Sequence, residues 1–454
     1  MNAPPPPSYT LLLSEVLGAM SYALDLTEGQ PPGHCLRCCW IGMHLGHALG
    51  FSEDELWDLY YTLLLKDAGC SSNAARLCAL YGSDDRSVKS AFKKINSQDL
   101  FEVTGFVLKH AALGQGLKER FQTLLNLAQH GESLATELVV TRCERGAAIA
   151  RQLGFSTRVA AAIHSLDEHW NGAGRPEGLR GSVIPAGARI ALLAQVVDVF
   201  NTMGGSTAAL EEAGQRSGSW FDPEIVRALK HVGAQPGFWE ALRADGLAQR
   251  VQALEPQAHA VLVDEIRLDQ IAEAFAQVVD SKSPYTYGHS ARVARYAQAV
   301  AGALGLSPSR QQWLHRGALL HDLGKLGVSN SILDKPGSLT PQEWEAVRAH
   351  AGYTEDILSR ITPFADLAKM AGAHHERLDG KGYPRGLTAE AISLETRIIT
   401  LADIFDAITA DRPYRAAIPL PQALEMMEKV RDLAIDGTCL DALKAELPGL
   451  AMHD

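Results

Sequence analysis

The second half of this chain repeats the first. Gly33-His34-x-x-Arg37 recurs as Gly288-His289-x-x-Arg292, and Ala48-Leu49-Gly50-Phe51-Ser52 recurs as Ala303-Leu304-Gly305-Leu306-Ser307. Lys66-Asp67-Ala68-Gly69 stands opposite His321-Asp322-Leu323-Gly324, and all three pairs are 255 positions apart. Further on the separation is 208. Trp170-Asn171-Gly172-Ala173-Gly174-Arg175-Pro176 faces Leu378-Asp379-Gly380-Lys381-Gly382-Tyr383-Pro384, and Arg189-Ile190 faces Arg397-Ile398. The change from 255 to 208 leaves 47 extra residues in the first copy, between about 71 and 135. A register held this long reads as a tandem duplication. The expected organisation is a Pro-rich tail over 1–8, disordered by composition, a first domain over 9–245, a linker over 246–261 and a second domain over 262–454.

The pattern inside each copy is helical. Ser307-Pro308 sets a capping residue before a proline at the first helical position, and Thr340-Pro341-Gln342-Glu343 is a capping box with proline in the same place. Alternating apolar–polar runs are scarce, so the expected fold class is all-α. With 454 residues, 46% apolar and 21% charged, the chain has material for two folded units. A net charge of −11 argues against bulk nucleic acid or an anionic membrane as partner. No run approaches the ~18 apolar residues of a membrane span. The N-terminal apolar stretch lacks the preceding Lys or Arg of a signal peptide. Seven cysteines, six of them in the first third, make no disulfide framework. The expected setting is a reducing cytoplasm.

The chemistry concentrates in the second copy. His289, His321-Asp322, His350, His374-His375 and Asp403 are metal-ligand types in quick succession. One histidine at a helix end is ordinarily a core or capping residue. Seven ligand-type residues in this order, with adjacent His-Asp and His-His pairs, are not explained that way. Imidazole with carboxylate suits Fe, Mn or Zn rather than Ca or Mg. Asp322 is the natural bridge between two ions, because a carboxylate offers two oxygens. Two such ions can clamp both oxygens of an in-line displacement at phosphorus.

These residues resemble the HD phosphohydrolase superfamily. His374-His375-Glu376-Arg377-x-Asp379-Gly380-x-Gly382-Tyr383-Pro384, Lys335-Pro336-Gly337 and Asp411-Arg412-Pro413-Tyr414-Arg415 are similar to its HD-GYP subfamily, over roughly 265–445. The resemblance implies an all-helical domain binding two divalent ions, Fe or Mn, that hydrolyses cyclic di-GMP to pGpG and in some members GMP. By it, Asp322 bridges the ions, His289, His321 and Asp403 complete one site, and His350, His374 and His375 the other. A hydroxide bridging the ions attacks phosphorus, with Lys325 beside it as the catalytic lysine that neutralises developing charge. Arg412 and Arg415 are expected at a phosphate, Lys335 at a phosphate or guanine, and Tyr383 in the substrate groove. The Gly-Tyr-Pro loop is also implied in contacts with GGDEF-domain partners. Subfamily members with a third ion carry an acidic residue four before the first histidine. Tyr285 stands there, so two ions are expected.

The first copy loses most of this set. His34 and Asp67 remain, but His321, His350, His374, His375 and Asp403 face Lys66, Arg142, Leu166, Asp167 and Gln195. At the same separation, Lys325 faces Cys70, and Arg412 and Arg415 face Gly204 and Thr207. The first domain is expected to be a degenerate, non-catalytic HD-type domain, regulatory or scaffolding. Cys35, Cys38 and Cys39 read as small packing residues, and Lys89, Lys93 and Lys94 in the extra segment as a solvated face. Residues 262–280 form an amphipathic helix, either a homodimer seam or a core face. The expected function is metal-dependent hydrolysis of cyclic di-GMP. The alternatives are another cyclic dinucleotide, such as a mixed guanine–adenine species, and a non-enzymatic receptor or interaction module.

Overall fold

A computed structural model describes residues 11–96, 99–111, 116–411 and 415–450. Among these residues the regular structure is entirely helical, with only isolated β-bridges. The chain divides into two compact units, Leu12–Leu262 first and then the residues from Val263 onward, with which Leu11 also groups.

In the second unit, helix Glu265–Asp280 turns its apolar face inward, burying Leu268, Ile271, Phe275, Val278 and Val279. Most of that face is core, while Leu262 and Ile266 at its start stay exposed. Helices His289–Ala303, Pro308–Leu320, Pro341–Leu358 and Leu394–Thr409 surround the ligand residues. Their starts follow the capping chemistry. Ser307 caps the helix that begins at Pro308, and Thr340 and Glu343 close a reciprocal capping box. Gly288 sits at φ 68°, so the helix can begin abruptly at His289 in a conformation that L-residues with a side chain avoid. Gly33, at φ 84°, does the same for His34 in the first unit.

The first unit builds the same frame with additions. Helices Ala74–Tyr81, Asp85–Phe92 and Leu100–His110, with the front of helix Leu117–Gln152, occupy the extra segment. This segment is no solvated excursion. Lys93 lies 2.8 Å from Glu28, and the Lys89 ammonium donates to the carbonyl of Cys70 at 2.7 Å. Both lysine side chains are nearly buried, because Glu28 and Asp67 are buried carboxylates that need cations.

Residues 246–261 do not form a free linker. Helix Leu247–Gln252 buries Val251, and Trp57 donates its indole N–H to the carbonyl of His259 at 3.1 Å. Buried Val251, and the Trp57 and Tyr61 side chains that donate to His259 and Glu255, dock this stretch on the first unit.

The separation of 208 also fails late in the repeat. Arg189 pairs with Asp222 where Arg397 pairs with Asp436, and the bridge Ser217–Phe221 matches Arg431–Ile435, now 214 positions apart. The second copy therefore holds six more residues here. In the first unit, helix Ala186–Gln215 only breaks at Gly205 (φ 78°, ψ −175°). In the second, the chain leaves helix Leu394–Thr409 and re-enters a helix at Leu420. Ten residues, 410–419, stand where the first copy has four, 202–205, so at this register Thr207 faces Pro421 rather than Arg415.

Candidate metal centre

The seven ligand-type residues converge inside the second unit. The Asp322 carboxylate stands at their centre and divides them. Its Oδ2 faces His289 Nε2 and His321 Nε2, each at 3.4 Å. Its Oδ1 faces His350 Nε2 at 3.5 Å and His374 Nε2 at 3.6 Å. Asp403 spans the same two groups, with Oδ1 3.3 Å from His289 Nε2 and Oδ2 3.9 Å from His375 Nδ1. Lys325 pairs with Asp322 Oδ2.

The outer nitrogens explain why the inner ones point inward. His289 Nδ1–H donates to Asp406 Oδ2 at 2.6 Å, itself held by Arg292. His321 donates to the carbonyl of Ala318 at 2.7 Å and His374 to that of Ala371 at 2.6 Å. His350 donates to the carbonyl of Val347. Each imidazole is thus fixed as the tautomer whose Nε2 lone pair faces the centre. The Thr354 hydroxyl donates to the carbonyl of His321 at 3.0 Å, and that of Thr400 to the carbonyl of His374 at 2.8 Å. A Cβ on Gly324 would lie 1.9 Å from the carbonyl oxygen of His350, so only glycine lets Asp322 and His350 approach this closely.

The residues fit a pair of cations. His289 Nε2, His321 Nε2 and Asp322 Oδ1 are buried and find no hydrogen-bond partner. Electrostatics agrees. Burial opposes charge on His289, yet Asp322, Asp403 and Asp406 raise its pKa well above the ordinary value. Against the same burial, Asp322 and Asp403 push His321 up to about 9. These buried carboxylates call for positive charge. His350, lowered by burial to about 4, and His374, lowered by burial and by His375, are neutral and ready to ligate. One half of the centre is carboxylate-rich and the other is imidazole-rich.

The remaining expected site residues are placed unequally. Tyr383 joins the site: its ring lies 4.7 Å from that of His375. Lys335 is engaged with Glu343, at 2.7 Å and 2.9 Å. The Arg415 guanidinium donates to the carbonyls of Ala407 and Ile408 at the end of helix Leu394–Thr409. Arg412 lies outside the described residues. Glu376, Asp406, Thr354 and Thr400 were not signalled by the ligand pattern. Glu376 accepts from the backbone of Arg385 and Leu387 at 2.7 and 2.8 Å, fixing the loop that carries Tyr383. Asp406 had a signal: it lies three residues after Asp403, on the same helix face.

In the first unit a cation stands in this place already. The Lys66 ammonium pairs with Asp67 Oδ2 and lies 3.2 Å from His34 Nε2. The Lys93 ammonium lies 3.8 Å from Asp67 Oδ1. The two oxygens that face different histidine groups in Asp322 thus face different lysines in Asp67. Burial, and then the Lys66 charge, hold His34 at about 4. Arg142 and Asp167, at the positions of His350 and His375, pair with each other. Cys35, Cys38 and Cys39 are fully buried, and burial raises all three thiols, as packing residues require.

Comparison with known proteins agrees with this frame. The chain matches the HD domain family over residues 81–225 and 273–439. It is 54% identical to a 3′3′-cGAMP-specific phosphodiesterase 3 of Vibrio cholerae over 96% of this chain and 95% of that one. It is 35% identical to the cyclic di-GMP phosphodiesterase response regulator RpfG of Xanthomonas campestris, over 44% of this chain and 54% of that one. A crystal structure of a cyclic GMP-AMP specific phosphodiesterase of V. cholerae superposes with a TM-score of 0.67, at 49% identity over 97% and 98% of the two chains. Two copies of the frame, one with the full ligand set and the His374–Pro384 motif, place this chain in the HD domain family, in its HD-GYP branch.

Proposed function

We propose that the second unit hydrolyses a 3′3′-linked cyclic dinucleotide, with cyclic GMP-AMP as the preferred substrate. The observation that carries the choice of substrate is the extent of the likeness. The relative named for 3′3′-cGAMP matches along nearly its whole length, both units included, while RpfG, named for cyclic di-GMP, matches over about half. This replaces cyclic di-GMP, the substrate expected from the motifs, with the mixed guanine–adenine alternative.

His289, His321, Asp322 and Asp403 would hold one divalent cation, and Asp322, His350, His374 and His375 a second, Fe, Mn or Zn by donor type and Fe or Mn by the family resemblance. When bound, such cations supply Lewis-acid activation of water and charge neutralisation at phosphorus. The chain's own residues do the rest. Lys325 keeps an ammonium beside Asp322, where it offsets charge gathering on a phosphate oxygen. Tyr383, whose phenol is kept neutral by burial, walls the centre beside His375. The first unit is non-catalytic in this reading, because Lys66 and Lys93 occupy its carboxylate, and it serves as scaffold or regulator.

The test is product chromatography on protein reconstituted anaerobically with Fe(II) or Mn(II), given cyclic GMP-AMP and cyclic di-GMP separately. Linear dinucleotide should appear from the mixed species with kcat/KM at least about tenfold higher. Equal or faster turnover of cyclic di-GMP reverses the assignment. No turnover of either, with two metals bound, removes the enzymatic reading.

A further inference from the structure

Helix Pro341–Leu358 delivers His350 to the centre, and Trp344 and Arg348 lie one turn apart on it, on a shared face. Both line a cavity of about 520 Å³ whose wall includes His374, His375 and Tyr383. That is the size range of a small-molecule site. Trp344 is 47% exposed, and no ring among the described residues stacks on its indole. The Arg348 guanidinium carbon lies 5.5 Å from the centroid of the Tyr383 ring. Among the described residues no carboxylate reaches ion-pair distance of Arg348. Tyr383 in turn lies against His375. The wall therefore runs from a ligand histidine, through an aromatic ring, to a guanidinium without a counter-charge and a bare indole.

Resting on the reading of the second unit as a cyclic-dinucleotide phosphodiesterase, we propose that Trp344 and Arg348 form the subsite for one guanine base of the substrate. Trp344 is the stacking platform and Arg348 reads the base edge. An exposed indole beside a phosphate-cleaving centre offers a nucleobase a flat apolar face. An arginine held by an aromatic face keeps its N–H edge for a ligand. Guanine presents two acceptors, O6 and N7, which match that all-donor edge. Adenine sets an amino donor beside N7 and does not. Cyclic GMP-AMP and cyclic di-GMP each carry a guanine for this subsite, and cyclic di-AMP carries none. Discrimination between the first two then lies at the other base.

The experiment uses the full-length, metal-loaded protein. Trp344→Ala should raise KM for cyclic GMP-AMP roughly tenfold or more, with kcat little changed, while Trp344→Phe keeps KM near that of the parent. On rapid mixing, cyclic GMP-AMP should quench part of the tryptophan fluorescence of the parent. Trp344→Phe should lose that part although its KM is normal, which a packing role does not produce. Arg348→Gln should weaken cyclic GMP-AMP by about tenfold and leave the affinity of cyclic di-AMP, measured by competition, unmoved. An unchanged KM in Trp344→Ala, in a protein that turns over cyclic GMP-AMP, overturns the subsite alone. Equal weakening of both dinucleotides by Arg348→Gln marks a phosphate contact and overturns the guanine assignment. A parent that binds two metals and turns over no cyclic dinucleotide overturns the underlying reading instead.

Discussion

Replacing Lys66 by methionine removes the cation at the centre of the first unit and keeps most of the side-chain volume. The Lys66 and Asp67 side chains are 0% and 1% exposed, so neither charge can turn to water. Without the ammonium, the nearest full positive charge to Asp67 is Lys93 at 3.8 Å, already shared with Glu28. The thiols of Cys35 and Cys70, at 3.6 and 3.7 Å, are weak donors. Breaking a buried pair in this way costs about 3–5 kcal/mol. At ~2–4 °C per kcal/mol for a unit of this size, the first unit should melt ~6–20 °C lower. Lys66→Met with Asp67→Asn removes both charges and should recover most of the loss, since an uncharged pair of similar volume is often no worse than a buried ion pair. Despite burial, Asp67 raises Lys66, and Lys66 and Lys93 lower Asp67, so both ends of the pH range matter. The Asp67 contribution is complete above its unfolded value of 3.8 and lost as pH falls through its depressed folded value. The Lys66 contribution is complete below 10.5 and lost as pH rises through its raised one. The cost of Lys66→Met should therefore be flat from about pH 5 to about pH 9. Calorimetry of the full chain reads the transition. A single variant within about 1 kcal/mol of the parent, or a double variant as unstable as the single, refutes the reasoning.

Four further outcomes are expected. Asp322→Asn should lower bound metal by at least one ion per chain, measured by elemental analysis, and cut hydrolysis by more than about a hundredfold, since an inner ligand outweighs its outer partners. Asp406→Asn weakens the Nδ1 anchor of His289 and should cost about 10–100-fold in metal affinity, read by competition with a chelator. Gly324→Ala forces a Cβ to within 1.9 Å of the His350 carbonyl. The two backbones must part, so metal content and stability should both fall, the latter by about 1–3 kcal/mol or more. Stripping metal with a chelator should lower only the transition of the second unit, by about 2.7 kcal/mol for each ion from a state with metal at a hundred times its Kd. An equal shift of both transitions would contradict the internal-cation reading of the first.

The duplicated register and the helical class were legible because they live in short-range patterns: glycine at an abrupt helix start, serine and threonine caps, and paired motifs at fixed distance. The seven ligand types were legible because adjacent His-Asp and His-His pairs have little other use. What was not legible depends on side chains that meet across the chain. Nothing local in Lys93 shows that it ends beside Glu28 and Asp67, and Lys89 and Lys93 read as a solvated face until the fold closed over them. The late change of register was hidden by the same cause. The motifs end before it, and only the paired contacts Arg189–Asp222 and Arg397–Asp436 expose the six additional residues. Val251 and the contact of Trp57 with His259 likewise pull a nominal linker into the first unit.

The two copies also separate frame from chemistry. His34, Asp198 and Arg37 repeat His289, Asp406 and Arg292. Asp25 accepts from the backbone of Gly33 and Cys35 as Asp280 does from that of Ser290. Glu168 gathers the backbone of Glu177, Gly178 and Leu179 as Glu376 gathers that of Arg385 and Leu387. These clamps persist in the first unit, where five of the seven ligand-type residues are replaced, so they do not depend on the full ligand set. They fix helix starts and one loop, and in the second unit that same rigidity aims imidazoles at a shared centre. The centre itself keeps one requirement in both units: a buried aspartate, with a different positive partner for each oxygen. Lys66 and Lys93 meet it from within the chain. In the second unit His321 stands at the position of Lys66, and in the proposed function the carboxylate-rich side of the centre would be balanced by cations from solution, which can also bind a phosphate. A few side-chain changes and six additional residues thus distinguish a closed core from an open site on one frame.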